Sequence, residues 1–248
     1  MDSKLTESAM DQTKPKKRKL FEYGNYSRYY GYRNSEKFSY HRLELFKEDW
    51  FKNKTILDVG CNSGHLTLAI SKKFAPKKII GVDVDDDLIQ AAKKNVKHYF
   101  PKRNEKAEDV LNVTDIVNFI TENYVDVSDD LQGVKKSCYD TILLLSVSKW
   151  IHLNWGDVGL KRCFRRIHEE LKPGGVFVLE PQPWKSYKKK KKVTETSSKN
   201  YKEIEFKPNH FCNYLIEDIG FSSYTCLNDP KTGTGFDRPL YLFVKTQN

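Results

Sequence analysis

The residues that point most clearly to chemistry form a glycine-rich turn between an apolar strand and a helix. Residues 55–64 read Thr-Ile-Leu-Asp-Val-Gly-Cys-Asn-Ser-Gly, and a helical run follows from His65. Glycine allows a tight turn beside a ligand, and the free N–H groups of a helix N-terminus attract negative charge. Asp83 closes the next apolar strand, where an acid binds ribose hydroxyls in Rossmann-like folds. The pattern indicates a nucleoside site; an ordinary strand–turn–helix connection is the alternative.

The spacing of the residues in this turn restricts which class of cofactor can bind. Asp58-x-Gly60-x-x-x-Gly64 departs from the dinucleotide spacing and resembles motif I of class I S-adenosylmethionine (SAM) methyltransferases. The resemblance implies that SAM is the cofactor and that no metal takes part. It implies the following SAM contacts: Gly60, Cys61 and Asn62 along the methionine through backbone groups, Arg42 on its carboxylate, Asp83 on the ribose, Val84, Asn123 and Tyr124 near adenine, Leu145 facing the sulfonium, and Tyr30 from the N-terminal segment.

Alternating strand and helix patterns must position these residues. The patterns predict strands near 55–59, 78–82, 116–121, 139–145 and 175–180, and helices near 65–74, 86–100 and 160–171. A helix near 208–217 and strands near 222–228 and 239–245 follow, and they resemble the antiparallel end of a methyltransferase sheet. We therefore expect an α/β, Rossmann-like class I methyltransferase fold with a seven-stranded, mostly parallel sheet and helices on both faces.

Composition divides the chain into a tail, a core and a basic loop. We expect a basic disordered tail at 1–19, a methyltransferase domain at 20–248, and an exposed basic loop at 185–200 that contains five consecutive lysines, Lys188–Lys192. The chain carries 43 Lys and Arg against 33 Asp and Glu, a net charge of +10, which favours a polyanionic partner. A solvated tail and a solvated lysine loop are the plain alternatives.

The remaining composition restricts the cellular context. No apolar run approaches the ~20 residues of a membrane span, and the N-terminus has no apolar signal region. The five cysteines include no CxxC pair, which argues against a zinc site or a disulfide framework and for a reducing compartment. The basic run at 14–19 is typical of a nuclear import signal or a phosphate-contacting arm. We expect a nuclear monomer without a membrane partner.

An unusual aromatic segment precedes the core. Residues 20–50, our expected RNA-contacting segment, begin with tyrosines interleaved with Arg28, Arg33 and two glycines. Aromatic faces beside guanidinium groups suit base stacking and phosphate binding. Packing of these rings onto the core is the alternative, and the two roles are compatible.

Four stretches together resemble the methylphosphate capping enzymes, which methylate the 5′ phosphate end of RNA. They are residues 23–33, residues 57–66, Lys149-Trp-Ile-His-Leu-Asn-Trp-Gly-Asp157, and Leu179-Glu-Pro-Gln-Pro-Trp184. The likeness is greatest to the branch that acts on the γ-phosphate of the 7SK small nuclear RNA. It implies that Lys149, Arg33 and Tyr29 hold the terminal phosphate, while His152 and Asn154 contact phosphate or order the loop. By the same resemblance, a La-related RNA-binding protein is an expected partner.

Three hypotheses about the function remain open on the sequence alone. The leading one is methylation of a small nuclear RNA with a 5′ triphosphate; a sibling branch that shares two of the four signatures methylates 5′ monophosphates. The second is a class I methyltransferase of small molecules or proteins, which leaves the tyrosine–arginine segment without a task. The third is a catalytically silent RNA-binding scaffold that keeps SAM for stability.

Overall fold

The computed structural model describes residues 21–26, 42–100, 113–125, 130–230 and 238–247 of the chain. Tyr29, Tyr30, Arg33 and the tail at 1–19 lie outside these ranges. The strands are β1 (Thr55–Val59), β2 (Lys78–Asp83), β3 (Val117–Thr121), β4 (Tyr139–Leu145), β5 (Leu171–Glu180), β6 (Phe221–Cys226) and β7 (Tyr241–Lys245). The helices are α1 (His65–Phe74), α2 (Asp86–Tyr99), α3 (Val113–Ile116), α4 (Ser148–Glu170), α5 (Trp184–Lys188), α6 (Glu195–Glu203) and α7 (Phe211–Glu217).

The strands form one seven-stranded sheet in the order β3-β2-β1-β4-β5-β7-β6. The pairs from β3 to β5 are parallel, and β7 runs antiparallel to both β5 and β6. This confirms the predicted Rossmann-like class I methyltransferase architecture. The chain order reverses between β1 and β4, and open α/β sheets bind ligands beyond the carboxyl ends of the strands at such a point.

Strand β4 shows why the sheet is covered on both faces. Its residues from Thr141 to Leu145 are all buried. Ile142 and Leu144 join one hydrophobic cluster, which includes α4, while Leu143 and Leu145 join another, which includes α1 and α2. Because successive side chains of a strand point to opposite faces, a continuous apolar run requires helices on both sides. No helix in the described ranges has both the length and the apolar composition needed to cross a bilayer.

Two segments differ from the sequence-based expectation. Helix α4 begins at Ser148 rather than near 160, and it contains a kink at Gly156, where φ is 63° and ψ is −167°. The predicted exposed loop at 185–200 instead contains α5 and most of α6, and the side chain of Thr194 caps α6 by accepting from Ser197 N. The cause is a small buried cluster of Leu153, Tyr187 and Ile204 that anchors this segment to α4.

Candidate active site

A cleft of about 780 Å³, including its open mouth, lies at the carboxyl ends of β1, β2 and β4. Seven sequence-predicted residues line it: Gly60, Asn62, Asp83, Val84, Asn123, Tyr124 and Leu145. The wall also contains residues that the sequence analysis did not assign to the cofactor: Tyr23, Gly24, Asn25, Val59, Val82, Glu122, Val125, Ser146, Val147, Trp150, Ile151 and Trp155.

The glycine-rich turn uses its own N–H groups to fix the cleft floor. Gly60 N and Cys61 N both donate to the carbonyl of Val82, at 2.8 and 3.0 Å. Asn62 N donates to Asp83 Oδ2 at 2.9 Å, and Asp85 N donates to Asp83 Oδ1 at 3.1 Å. These three N–H groups therefore bind the end of β2, and the expected contact of the turn's backbone with the methionine stays a prediction. Each oxygen of Asp83 keeps further acceptor capacity.

The space beside the turn glycines is filled by protein rather than left for a ligand. A Cβ on Gly60 would overlap the side chain of Val147, and one on Gly64 would lie 2.6 Å from Phe119. Both glycines have positive φ. Cys61 is not part of the cleft wall among the described residues, because its side chain is buried in the core and packs beneath Gly81. Glycine is therefore required for packing at both positions.

Burial of Asp83 raises the pKa of its carboxyl group, and the backbone donors oppose this effect. Beneath it, burial raises the pKa of Asp58 to about 6, although the hydroxyl of Thr67 donates to Asp58 Oδ2 at 2.6 Å. Both carboxyls stand where β1 and β2 end, and only Asp83 faces the cleft. A partly buried carboxylate that accepts hydrogen bonds from backbone N–H groups is well placed to accept also from the two hydroxyls of a ribose.

Arg42 makes a bidentate ion pair inside the protein. Its Nε and Nη2 atoms each donate to Glu180 at 2.7 Å, and Nη2 also donates to Ser146 Oγ at 3.0 Å. Arg238 Nη1 donates to the same Ser146 hydroxyl at 2.7 Å. Arg42 and Glu180 are almost fully buried. The described partners of Arg42 are thus protein groups beside the cleft, and its contact with the methionine carboxylate stays a prediction.

The wall opposite the glycine turn is held by Arg166. Its guanidinium lies 3.9 Å from the ring centroid of Tyr124 and pairs with Glu122 at 2.7 Å and Glu170 at 2.9 Å. The hydroxyl of Tyr124 donates to Glu170 at 2.8 Å. Arg166 is therefore a structural residue that fixes the Asn123–Tyr124 wall.

The N-terminal segment 21–26 closes over the other side of the cleft. Gly24, with a φ of 70°, lies flat on Trp150, and a Cβ there would overlap the indole ring. Tyr23 stacks on Trp155 with 5.7 Å between ring centroids. The side-chain amide of Asn154 donates to the carbonyl of Glu22 at 3.0 Å. Asn154 thus ties this segment to α4, and its two predicted roles, phosphate contact or ordering of the loop after β4, stay predictions.

Asn25 in the same segment has one polar atom without a partner. Its Nδ2 donates to Asp85, while among the described residues its buried Oδ1 accepts no hydrogen bond. Asn25 lines the cleft beside Asp83. A buried acceptor without a partner is costly, so a donor on the cleft's ligand is expected there.

The structure separates two residues after β4 that were predicted to contact phosphate. Lys149 is 7% exposed, and its Nζ lies 4.7 Å from the ring centroid of Trp150, which lines the cleft. We call Trp150 and the side chains of Lys149, Tyr26 and Lys190 grouped around it the cleft mouth. His152 is fully buried, with Nε2 2.6 Å from Asp157 and Nδ1 3.3 Å from the Tyr187 hydroxyl. Burial lowers the pKa of His152, and Asp157 opposes that shift. Both ring nitrogens are therefore engaged in the core, and the catalytic assignment of His152 is corrected to a structural one.

The cleft residues fit SAM by their chemistry. Asp83 offers acceptors for ribose hydroxyls, Asn25 Oδ1 offers an unfilled acceptor, and the apolar side chains of the wall, Val84 among them, suit an adenine ring.

Known proteins with similar sequences show to which family this chain belongs. The family profile "Bicoid-interacting protein 3 (Bin3)" matches residues 139–245, and the profile "Methyltransferase domain" matches residues 57–177. The U6 snRNA methylphosphate capping enzyme Amus of Drosophila melanogaster is 42% identical, across 91% of this chain and 75% of that protein. This chain belongs to the Bin3 family of methylphosphate capping enzymes. Its methyltransferase domain is of the SAM-dependent class.

A human member of the family and a solved structure extend the comparison. The 7SK snRNA methylphosphate capping enzyme of Homo sapiens is 41% identical across 94% of this chain, which spans 40% of the length of that protein. A solved complex between the Haloferax volcanii Trm112 methyltransferase activator and the putative methyltransferase aligns with a TM-score of 0.60 at 13% identity, covering 92% of this chain and 99% of that chain. At that identity, the structural match bears on the fold alone.

Proposed function

We propose that this chain is an RNA 5′-phosphate methyltransferase that methylates the γ-phosphate of a small nuclear RNA with a 5′ triphosphate, using SAM. The observation that carries the proposal is the mouth of the cofactor cleft. There the Lys149 ammonium lies over Trp150, Tyr26 meets Trp150 with 6.1 Å between centroids, and the Lys190 ammonium lies 5.1 Å from the Tyr26 centroid. Two cations and two rings beside a methyl-donor site suit a terminal nucleotide and its phosphates.

The names of the relatives support the same substrate class. The human and fruit-fly relatives are methylphosphate capping enzymes of 7SK and U6 snRNA, respectively. Small nuclear RNA as substrate implies that this chain works in the nucleus. A La-related RNA-binding protein as partner and a monomeric state are further parts of the proposal, and they derive from the family resemblance.

The cofactor site is assigned as follows. Asp83 binds the ribose hydroxyls, Val84, Asn123 and Tyr124 contact adenine, Gly60 and Asn62 border the methionine, and Leu145 faces the reacting centre. SAM supplies an electrophilic methyl group on a sulfonium. Tyr30 and Arg42 remain proposed contacts.

The chain's own residues have mainly a positioning task. A terminal phosphate has a second pKa near 6, so at neutral pH its oxygen is already charged and needs no base. Lys149, with Arg33 and Tyr29 of the N-terminal segment, holds the non-reacting phosphate oxygens and leaves one oxygen aligned toward the methyl carbon. His152 cannot accept a proton from the substrate in this geometry, because both of its nitrogens are engaged in the core.

Two rival functions use the same cleft. A methyltransferase of small molecules would need SAM binding but gains nothing from the lysine–aromatic mouth. A silent scaffold would bind RNA and SAM without transfer. Methylation of 5′ monophosphates uses the same chemistry with a shorter substrate.

One assay separates these functions. The protein is incubated with methyl-labelled SAM and one RNA carrying a 5′ triphosphate, a monophosphate or a hydroxyl, and the RNA 5′ end is then analysed by mass spectrometry. We expect one methyl group on the γ-phosphate of the triphosphate RNA and none on the hydroxyl RNA. Label on internal nucleotides, or no transfer to any RNA, contradicts the proposal.

A further inference from the structure

The lysine run Lys188–Lys192 is attached to a folded segment that adjoins the cleft mouth. It ends α5 and enters the turn before α6. Trp184 of α5 and Tyr201 of α6 stack almost in parallel, with centroids 4.9 Å apart and an interplanar angle of 4°. The segment is anchored by buried Tyr187, whose ring lies 4.8 Å from Trp184. The lysines are thus presented from a defined surface.

Ammonium groups and rings alternate along this surface away from the mouth. From the Lys149–Trp150–Tyr26–Lys190 contacts at the mouth, the chain passes directly to Lys191, whose Nζ lies 4.7 Å from the Tyr201 centroid. Tyr201 stacks on Trp184, and Lys207 Nζ lies 5.7 Å from the Trp184 centroid. We call Lys188–Lys192, Tyr201, Trp184 and Lys207 the basic ridge. The ridge adjoins the mouth because Lys190, which contacts Tyr26 at the mouth, and Lys191, which contacts Tyr201 on the ridge, are consecutive residues.

No carboxylate in the described ranges forms an ion pair with the lysines of the run, although the neighbouring helix carries Glu195 and Glu203. Lys188, Lys189 and Lys192 are exposed. Five adjacent like charges repel one another, and this cost is relieved only by counterions or by a polyanion. The ridge therefore gains by binding a chain of phosphates.

We infer that the basic ridge binds the sugar–phosphate backbone of the nucleotides that follow the methylated 5′ end. This inference rests on the proposed function, because it assigns the nucleotides beyond the cleft to the ridge. Lysines contact phosphates as point charges, and the stacked rings hold the ammonium groups of Lys191 and Lys207 in place. The ridge thereby favours longer RNA without selecting a sequence.

An RNA backbone fits the ridge better than an acidic protein segment does. The ridge begins at the place where the 5′ nucleotide must leave the cleft, so a bound RNA reaches it without a second docking event. Its cations are spaced along the surface, as phosphates are spaced along a single strand of RNA. An acidic peptide could pair with the same lysines, but it would have to dock separately from the substrate.

The test compares two triple variants that lose the same charge. Lys188→Gln, Lys189→Gln and Lys192→Gln remove three exposed charges from the ridge, and Lys93→Gln, Lys94→Gln and Lys97→Gln remove three from α2. Each protein is assayed on a 5′-triphosphate RNA of about 20 nucleotides and on a 5′-triphosphate dinucleotide. Affinity for the longer RNA, with and without its triphosphate, is measured separately by fluorescence anisotropy against salt. SAM affinity and the melting temperature report the fold.

We expect the ridge variant to lower the ratio of kcat/KM on long RNA to that on the dinucleotide by about tenfold or more, and to flatten the salt slope of RNA binding by about 2. The α2 variant keeps both values. Equal losses on long and short RNA, or an unchanged salt slope, overturn the inference. If the wild type binds RNA through the ridge but methylates none, the proposed function fails while the ridge stands.

Discussion

The side-chain amide of Asn154 donates a 3.0 Å hydrogen bond to the main-chain carbonyl of Glu22, and a 2.9 Å one to the carbonyl of Trp150. One side chain of α4 therefore ties the N-terminal segment to the helix that forms the cleft wall. Tyr23, Gly24 and Asn25 line the cleft only while this segment is in place. We therefore propose that Asn154 is a positioning residue, which acts on cofactor and substrate through the segment.

Asn154→Asp tests this tie, because it replaces the donor by an acceptor that faces two carbonyls. We expect SAM affinity and kcat/KM for RNA each to fall by about 5- to 30-fold, the cost of ~1–2 kcal/mol for a broken buried hydrogen bond. Asn200→Asp is the matched control, since Asn200 Nδ2 donates to Leu153 O on the same helix without contacting the segment. Calorimetry and initial rates decide; equal effects of both variants would make the Asn154 bond one of general stability.

Asp83→Asn removes the charge that we assign to ribose binding while keeping most of the side chain's shape. Charge-assisted hydrogen bonds contribute ~2–3 kcal/mol, so SAM affinity should fall by about 30- to 150-fold in titration calorimetry. Burial raises the pKa of Asp83, so wild-type affinity should fall on acidification at a higher pH than an ordinary carboxyl would give. Asp87→Asn at the start of α2 is the control. Unchanged affinity in Asp83→Asn would remove Asp83 from the site.

Asp58→Asn tests the buried carboxyl beneath the cleft. In the folded protein burial raises the pKa of Asp58 to about 6, above its value in the unfolded chain. The folded state thus binds more protons between about pH 4 and 6, and the free energy of unfolding falls by up to ~3 kcal/mol as pH rises through that window. The amide still accepts from Thr67 and carries no charge, so the variant should lose this slope and be the more stable protein at pH 7. The free energies of unfolding of both proteins are measured by urea titration at several pH values. An equal change with pH in wild type and variant would contradict this prediction.

His152→Gln separates a structural histidine from a catalytic one. Burial lowers the pKa of His152, so the folded state keeps it neutral and the wild type loses stability as pH falls below about 6.5, where the unfolded chain binds a proton. The variant should melt earlier, by ~1–3 kcal/mol for the lost buried hydrogen bonds, with a flatter pH dependence. Its kcat/KM per folded molecule should follow the wild-type pH profile. A changed profile would restore His152 to the chemistry.

The parts of the fold that the sequence predicted well are those with strong local patterns. The apolar run 139–145 and the glycine turn after β1 gave strand, turn and helix within a residue or two. The prediction of an exposed loop at 185–200 was wrong, because it gave the charge of the lysine run more weight than the aromatic residues beside it. Trp184, Tyr187 and Tyr201 pack with Leu153, and this packing folds α5 and α6.

The cleft was predictable where residues stand at strand ends, as with Asp83 and Leu145, since topology alone brings those ends together. Partners distant in sequence were not predictable. Arg42 pairs with Glu180, and Arg166 stacks on Tyr124, through side chains that meet only in the folded chain. The Tyr23-Gly24-Asn25 wall had one signal that could have been used: Gly24 stands among aromatic residues, and glycine suits a close approach such as the one to Trp150.

Lys149, which we place at the terminal phosphate, is the residue on which the proposed reaction depends most. The ammonium is held 4.7 Å from the Trp150 centroid at the cleft mouth. Lys149→Met keeps the stem and removes the charge, and Lys161→Met is the matched control, because Lys161 makes the same kind of contact with Phe206 at 5.1 Å elsewhere on α4.

The most direct measurement is paired kinetics of wild type, Lys149→Met and Lys161→Met on one RNA with a 5′ triphosphate or a 5′ monophosphate. We predict that Lys149→Met loses ~2–4 kcal/mol in kcat/KM on the triphosphate, less on the monophosphate, and little SAM affinity, while Lys161→Met stays near wild type. An equal loss on both RNA ends, or none on either, would contradict the claim that Lys149 holds the terminal phosphate of a triphosphate.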